Sequence, residues 1–464
     1  MTEIPRFMIA AAHKSSGKTV ISTGLSAALR RAGDTVTTFK KGPDYIDPMW
    51  LGAASGAACY NLDFNTMGRG EIRGFFAARA SGVTLIEANK GLFDGVAVDG
   101  SDSNAELAKL LNLPVILVID TIGMTRGIAP LLQGYLGFDA GVNIAGVILN
   151  KVGGARHEGK LRKAVQTFCD LPVVGVVWRN DKLEIGERHL GLTTPAELPE
   201  RDAMIARFAE VVGGSVDLAA VRAIAATAPP MDVPAAPAIQ GQSARHLRIG
   251  VIRDAAFGFY YPDDLEAFQA GGAELVFIDA LQDAHLPKID GLFIGGGFPE
   301  MRMMELAANK SLRAEIRQRL LGGLPCYAEC GGLMYLCENL HWKGQVAPMV
   351  GLIPGDAVMH ARPQGRGYAR FTLGPGHPWG PQDAQVQAHE FHYASIDNLP
   401  KDMVYTCDIQ RGHGVDGRRD GLLIGNTLAG FCHLRSSDAY PWVPRFLDFV
   451  ARATQWRNGD CGSI

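Results

Sequence analysis

Two short stretches carry residue types that do chemistry. In 325-PCYAECGGLMYL-336 an apolar run ends in Cys330, two glycines follow at once, and apolar residues then resume with helical spacing. A thiol at such a strand-to-helix bend stands clear of the sheet, and the positive potential of a helix N-terminus favours thiolate over thiol. Gly331 and Gly332 permit tight dihedrals and leave bare N–H groups near a developing oxyanion. Upstream, 292-LFIGGGFPE-300 ends another apolar strand in three glycines, of which Gly296 and Gly297 suit the far wall of the oxyanion pocket. A cysteine nucleophile needs a base. The candidate is His433 in 428-LAGFCHLRSS-437, while Cys326, Cys337 and Cys432 read as buried structural cysteines.

The second stretch is 9-IAAAHKSSGKTVISTGL-25. It fits a phosphate loop, G-x-x-x-x-G-K-[ST] between a strand and a helix, except that Ala12 holds the first glycine position. In that pattern backbone N–H groups wrap a triphosphate, the lysine bridges its outer phosphates and the hydroxyl ligates Mg²⁺. Ser16, Gly17, Lys18 and Thr19 are therefore the expected ATP contacts. Chance alone could place GKT at a helix start, but the flanking apolar strand argues for the cradle.

Carboxylates follow at the right places. In 39-FKKGPDYIDPMW-50, Asp44 and Asp47 lie in a Pro-bounded loop, a poor place for core packing. In 83-VTLIEANKGLFDG-95, Glu87 ends an apolar strand and Asp94 lies in the loop beyond. A carboxylate at a strand C-terminus beside a phosphate loop is where a further Mg²⁺ contact is expected. Thr19, Asp47 and Glu87 form the expected metal set, and Asp120 is a weaker candidate. In 387-QAHEFHYAS-395 the spacing of His389 and His392 sends their rings to opposite faces of a strand, so a structural or substrate-facing role is expected rather than a metal site.

The elements that must position these residues are those of an α/β protein. RFMIAAA, TVTTFKK, VTLIEAN, PVILVIDT, VNIAGVILNKV and LPVVGVVW are continuously apolar, as in a parallel sheet covered on both faces. The tract 225-AATAPPMDVPAAPAIQGQSA-244 carries one charge and no periodicity, and reads as a linker. A new sheet opens with LRIGVIRD and continues through AELVFID, GLFIGGG and PCYAEC, and GGLMYLCENL reads as a helix. The expected plan is a nucleotide- and substrate-binding domain over 1–224, a linker over 225–246, a second α/β domain over 247–445 and a tail over 446–464.

Bulk properties set exclusions. At 464 residues, 47% hydrophobic and 20% charged, the chain has the composition of a packed globular protein of two domains. A formal charge of −3 and the lack of a long basic run point away from nucleic acid. No apolar run reaches the roughly 18 residues of a membrane span, and the N-terminus lacks a basic n-region. Eight cysteines without CxxC pairs argue against a zinc site or disulfide framework, so a cytoplasmic setting is expected.

Taken together, PCYAECGGLMYL, IGGGFPE and HEFHYAS resemble the cobyric-acid-synthase type of class I glutamine amidotransferase domain, a flavodoxin-like fold. The N-terminal half resembles the dethiobiotin-synthetase-like ATP-binding domain of the cobyrinate a,c-diamide synthase family. KKGPDYIDP, GLFDG, GVILNKVG with a following RH, 187-ERHLGL-192 and RDAAFGFYYPDDLE look like that family's signatures, in its order, over about residues 7 to 445. The resemblance implies glutamine hydrolysis at Cys330 through a glutamyl thioester with His433 as base. It also implies channelling of ammonia to the N-terminal domain, where ATP–Mg²⁺ phosphorylates an acetate side chain of a tetrapyrrole and ammonia displaces the phosphate, on the a and c acetates in turn. Asp44, Tyr45 and Asp94 are then the substrate-side residues.

The chain departs from the family pattern at Ala12, at Met49-Trp50, at 88-ANKG-91 and at Arg435 within CHLR. Most of these lie in the substrate-recognising half and keep a second ring open: a related amidase acts on sirohaem. A reading of another class is a P-loop ATPase switch with a non-catalytic amidotransferase-like module. The expected partners are small molecules only, with no nucleic acid or membrane, and a homodimer is left open.

Overall fold

The computed structural model describes residues 3–183, 185–188, 191–232 and 246–458, and the chain divides into two compact units, 1–237 and 238–464. Each is built around one large sheet.

The sheet of the first unit has seven strands: β1 (Arg6–Ala11), β2 (Val36–Lys41), β3 (Cys59–Leu62), β4 (Val83–Glu87), β5 (Val115–Asp120), β6 (Ile144–Val152) and β7 (Val173–Trp178). Their order is β3-β2-β4-β1-β5-β6-β7, and every pair is parallel. Strand β1 is buried along its whole length, as its unbroken apolar run requires. Chain order reverses around β1, so the C-terminal ends of β1 and β4 mark the switch point of the sheet, the usual place for a ligand in an open α/β fold. The helix α1 (Lys18–Arg31) leaves this edge after β1, and α2 (Ile46–Ser55) leaves it after β2.

Arg6 is fully buried on β1, an unusual place for a guanidinium. Its donors reach three carbonyls, Leu111 O at 2.9 Å, Ile4 O at 3.0 Å and Pro229 O at 2.7 Å. Burial lowers its pKa to about 10. Through Pro229, and through Met231 in the apolar core, residues 225–232 belong to the first unit rather than to a linker. Residues 233–245 of the expected linker lie outside the described residues, as do His189 and Leu190 of ERHLGL.

The second unit has a nine-stranded mixed sheet. Strands Glu274–Ile278, Arg248–Ile252, Gly291–Ile294, Cys326–Glu329 and Thr427–Gly430 are parallel neighbours in that order. Strands Arg419–Ile424, Tyr405–Arg411, Gly365–Leu373 and Gln385–His392 extend it antiparallel. The sequence reading found the parallel half, whose strands are mostly apolar, and took only Gln385–His392 from the other.

Two readings need correction here. The helix after Cys330 covers only Gly331–Leu336, and Cys337–Trp342 is a strand that pairs with Ile353–Met359. The expected tail is instead a helix, Trp442–Asn458, whose Trp442, Phe446, Leu447 and Val450 are buried in the second unit's core. Residues 459–464 lie outside the described residues.

Candidate active site

Cys330 sits at the bend that its sequence implies, with φ 52° and ψ −103°. A non-glycine residue held there costs on the order of 1–3 kcal/mol, so the surroundings must over-determine it. They do: Cys330 N donates to Gly430 O at 2.8 Å, and Met334 N donates to Cys330 O at 3.1 Å. The two following glycines are required by contact as well as by conformation. A Cβ on Gly332 would strike the carbonyl of Ile294, and one on Gly331 would lie 3.0 Å from Gly297 N. The main chains of Gly331, next to the thiol in sequence, and Gly297 thus approach closely. With six residues the helix adds little dipole.

His433 lies three residues beyond the strand Thr427–Gly430, and its ring is 3% exposed. Its Nδ1 is 3.5 Å from Glu329 Oε1. Burial alone would lower its pKa, but Glu329 and the hydrogen-bonding contact with Cys330 outweigh burial and raise it to about 10. Gly296 makes room for the ring, since a Cβ there would lie 2.5 Å from His433 Cε1. His389 stacks on His433, whereas His392 stacks on Phe431 with centroids 3.8 Å apart. The two rings of HEFH therefore serve packing on opposite faces, as their spacing predicts. Glu329 was not singled out from the sequence, although it is the one charged residue in the run PCYAEC.

In the first unit the loop after β1 is held from three sides. Ser16 Oγ donates to His13 O at 2.8 Å. Asn150 Nδ2 donates to Ser16 O at 2.9 Å, in the space a Cβ on Gly17 (φ 85°) would fill. Lys151 Nζ donates to Ser15 O at 3.2 Å and to Asp120 Oδ2 at 2.8 Å. Asp120 is thereby a partner of Lys151 rather than of the Thr19–Glu87 cluster. Lys18 Nζ folds onto Lys90 O at 2.6 Å, and burial, followed by the nearby charge of Lys40, lowers its pKa to about 8.

Thr19 and Glu87 do meet: Thr19 Oγ1 donates to Glu87 Oε1 at 3.2 Å. Lys40, which the sequence reading passed over, joins the set with Nζ 2.6 Å from Asp47 Oδ2 and 2.7 Å from Glu87 Oε1. Burial works against the Lys40 charge, but Asp47 and Glu87 outweigh it and hold its pKa above the ordinary value. Burial dominates at Glu87 and raises its pKa, whereas at Asp47 the lysine overcomes burial and lowers it. Asp44 Oδ1 accepts from Ile46 N at 2.8 Å and Asp47 N at 3.1 Å, capping α2. Tyr45, next along, is buried, and Asp94 is exposed with Oδ2 accepting from Gly91 N at 2.9 Å.

Mg²⁺ fits this set on one observation: Glu87 Oε2 is buried with no hydrogen-bond partner, beside a hydroxyl and the Asp47 carboxylate. Hard oxygen donors of this kind suit Mg²⁺, which takes few protein ligands and completes its shell with phosphate and water. That economy matters because no group of three His, Cys, Asp or Glu side chains among the described residues is arranged to hold a metal alone.

Residues 248–439 match the CobB/CobQ-like glutamine amidotransferase domain, and residues 7–192 match the CobQ/CobB/MinD/ParA nucleotide binding domain. Fold and site thus define a glutamine amidotransferase joined to a nucleotide-binding domain. Over 98% of both chains the protein is 43% identical to cobyrinate a,c-diamide synthase of Magnetococcus marinus. It is 41% identical to that of Archaeoglobus fulgidus over 93% of this chain and 94% of the relative, and 37% identical to that of Methanosarcina barkeri over 93% of each. The chain belongs to the cobyrinate a,c-diamide synthase family.

Proposed function

We propose that this protein converts the a and c acetate side chains of cobyrinate to amides, with ATP activating each carboxylate and glutamine supplying the nitrogen. The observation that best supports the reading is the presence, in one chain, of a buried thiol–imidazole pair beside the Gly296–Gly297 loop and a phosphate loop facing Thr19, Asp47 and Glu87. A carboxylate resists attack by ammonia because its leaving group would be oxide. Transfer of the γ-phosphoryl group to the acetate oxygen makes phosphate the leaving group instead, and positioning with cation electrostatics does most of that work.

In the second unit, His433 takes the Cys330 proton, and the thiolate attacks the glutamine side-chain carbonyl. The oxyanion is met by main-chain N–H groups around Gly297 and Gly331. The imidazolium then protonates the leaving nitrogen, which departs as ammonia and leaves the glutamyl thioester. Water, deprotonated by His433, releases glutamate. In the first unit Ser16, Gly17 and Lys18 hold the triphosphate, Thr19, Asp47 and Glu87 would hold Mg²⁺, and Asp44, Tyr45 and Asp94 face the acceptor. Bound Mg²⁺ would supply charge neutralisation across the phosphates. A cytoplasmic setting fits, and no described helix is long and apolar enough to cross a membrane.

The Magnetococcus, Archaeoglobus and Methanosarcina relatives all carry the cobyrinate name, which does not favour sirohaem as the substrate. The switch reading gives no reason for a His433 base held against Cys330. Incubation with ATP, Mg²⁺ and glutamine and, separately, cobyrinate, hydrogenobyrinate or sirohaem tests the proposal by product mass. Conversion of cobyrinate to a diamide is expected, and conversion of sirohaem alone would overturn it.

A further inference from the structure

We infer that Glu329 is the positioning residue of the glutaminase site: it fixes the orientation and tautomer of His433 so that one strand end holds both nucleophile and base. The inference rests on the glutaminase reading of Cys330 and His433. Strand Cys326–Glu329 alternates its faces, with Cys326 and Ala328 in one apolar core and Tyr327 in the other, so Glu329 shares the Tyr327 face. It pairs in register with Gly430, and from there the chain needs only three residues to bring His433 back over it.

The carboxylate is divided between two tasks. Its Oε2 accepts from Tyr327 Oη at 3.0 Å and from Leu434 N at 3.2 Å, which pins the group. Its Oε1 is left 3.5 Å from His433 Nδ1. At 2% exposure an ionised carboxylate needs partners of this kind, and the nearest cationic partner is the imidazolium that forms when Cys330 gives up its proton. An Nδ1–H directed at Glu329 leaves Nε2 as the acceptor for the thiol, which is the tautomer that general-base work requires. The second residue beyond His433 is no acid but Arg435, whose guanidinium pairs with Asp263 Oδ2 at 3.0 Å. The charged and titratable groups around the ring include Glu329 at the end of the nucleophile strand, Cys330 just beyond it, His389 on Gln385–His392, and the Arg435–Asp263 pair.

Glu329→Gln preserves shape and can still accept from Tyr327 and Leu434, so it removes the charge with little else. Glutaminase kcat should fall about a hundredfold or more while KM for glutamine changes little. Amidation with added ammonium should be unaffected, which shows that the protein is folded. Alkylation of Cys330 by iodoacetamide should shift to higher pH in the variant, because burial of His433 would no longer be offset. A wild-type kcat together with an unchanged alkylation profile would overturn the inference. If Glu329→Gln lowers the thermal transition or the ammonium-dependent rate, Glu329→Asp decides: it keeps the charge and should retain more glutaminase activity than the Gln variant, and equal loss in both assigns Glu329 a structural role only. Should the wild type release no glutamate at all, the glutaminase reading fails, and the alkylation profile then reports on Glu329 independently.

Discussion

His389 lies flat against His433, with ring centroids 4.8 Å apart and planes 14° from parallel, and His433 N donates to His389 O at 2.8 Å. Burial first, then the charges of His433 and Arg435, push the His389 pKa well below its ordinary value. A neutral ring thus backs an imidazole whose protonated form burial alone would disfavour. Aromatic stacking is worth about 0.5–1.5 kcal/mol, so His389→Ala should lower glutaminase kcat by up to about tenfold. His389→Phe, which keeps a flat neutral ring, should retain most of it. Steady-state kinetics on the two variants checks this, and equal loss would show that the imidazole nitrogens matter instead.

Asp44 gives a pH signature in the other unit. Burial, then the nearby Asp47, raises its carboxyl to about 7, against an ordinary value of about 3.9. The stability this group allows is whole below about pH 4 and is lost as pH rises through about 7. Asp44→Asn keeps an oxygen to cap α2 but cannot ionise. Its melting temperature relative to wild type should therefore improve between pH 5 and pH 8, and a constant difference would contradict the assignment.

Asn150 clamps the phosphate loop through its bond to Ser16 O, with Gly17 packed against the amide. Asn150→Ala removes a buried hydrogen bond worth about 1–2 kcal/mol, so nucleotide affinity should drop roughly 5- to 30-fold. Glutaminase activity should be unaffected. Titration with ATP and a glutaminase assay on the same preparation separate the two effects.

The helix Trp442–Asn458 is part of the second unit's core. Burying each of Trp442, Phe446, Leu447 and Val450 contributes about 2 kcal/mol, which together rivals the roughly 5–15 kcal/mol that holds a whole domain. Deleting residues from 442 onward should abolish folded amidotransferase, measured by circular dichroism and glutamate release.

Much of this was legible because parallel strands covered on both faces write themselves as unbroken apolar runs, and because Cys330, Gly331 and Lys18-Thr19 sit in local patterns with mechanical reasons. What escaped depended on contacts between distant segments. Lys40 reads as one more lysine until β2 and β4 lie side by side and set it between Asp47 and Glu87. Glu329 meets His433 only when the strand Thr427–Gly430 pairs with its own. The final helix was missed because its apolar positions are separated by Arg445, Asp448 and Arg452, which read as a solvated tail. The antiparallel half of the second sheet has the same cause: its burial alternates, as in Gly365–Leu373, and weakens the apolar signal.

The central claim is that nitrogen set free at Cys330 is captured by a carboxyl activated at the phosphate loop. Glutamine labelled with ¹⁵N in its side-chain amide, given with ATP, Mg²⁺ and cobyrinate, tests it by product mass for wild type, Cys330→Ala and Lys18→Ala. Wild type should place ¹⁵N in both new amides, Cys330→Ala should form amides only from added ammonium, and Lys18→Ala should release glutamate without amidating. Labelled product from Cys330→Ala, or amidation by Lys18→Ala at the wild-type rate, would contradict the account.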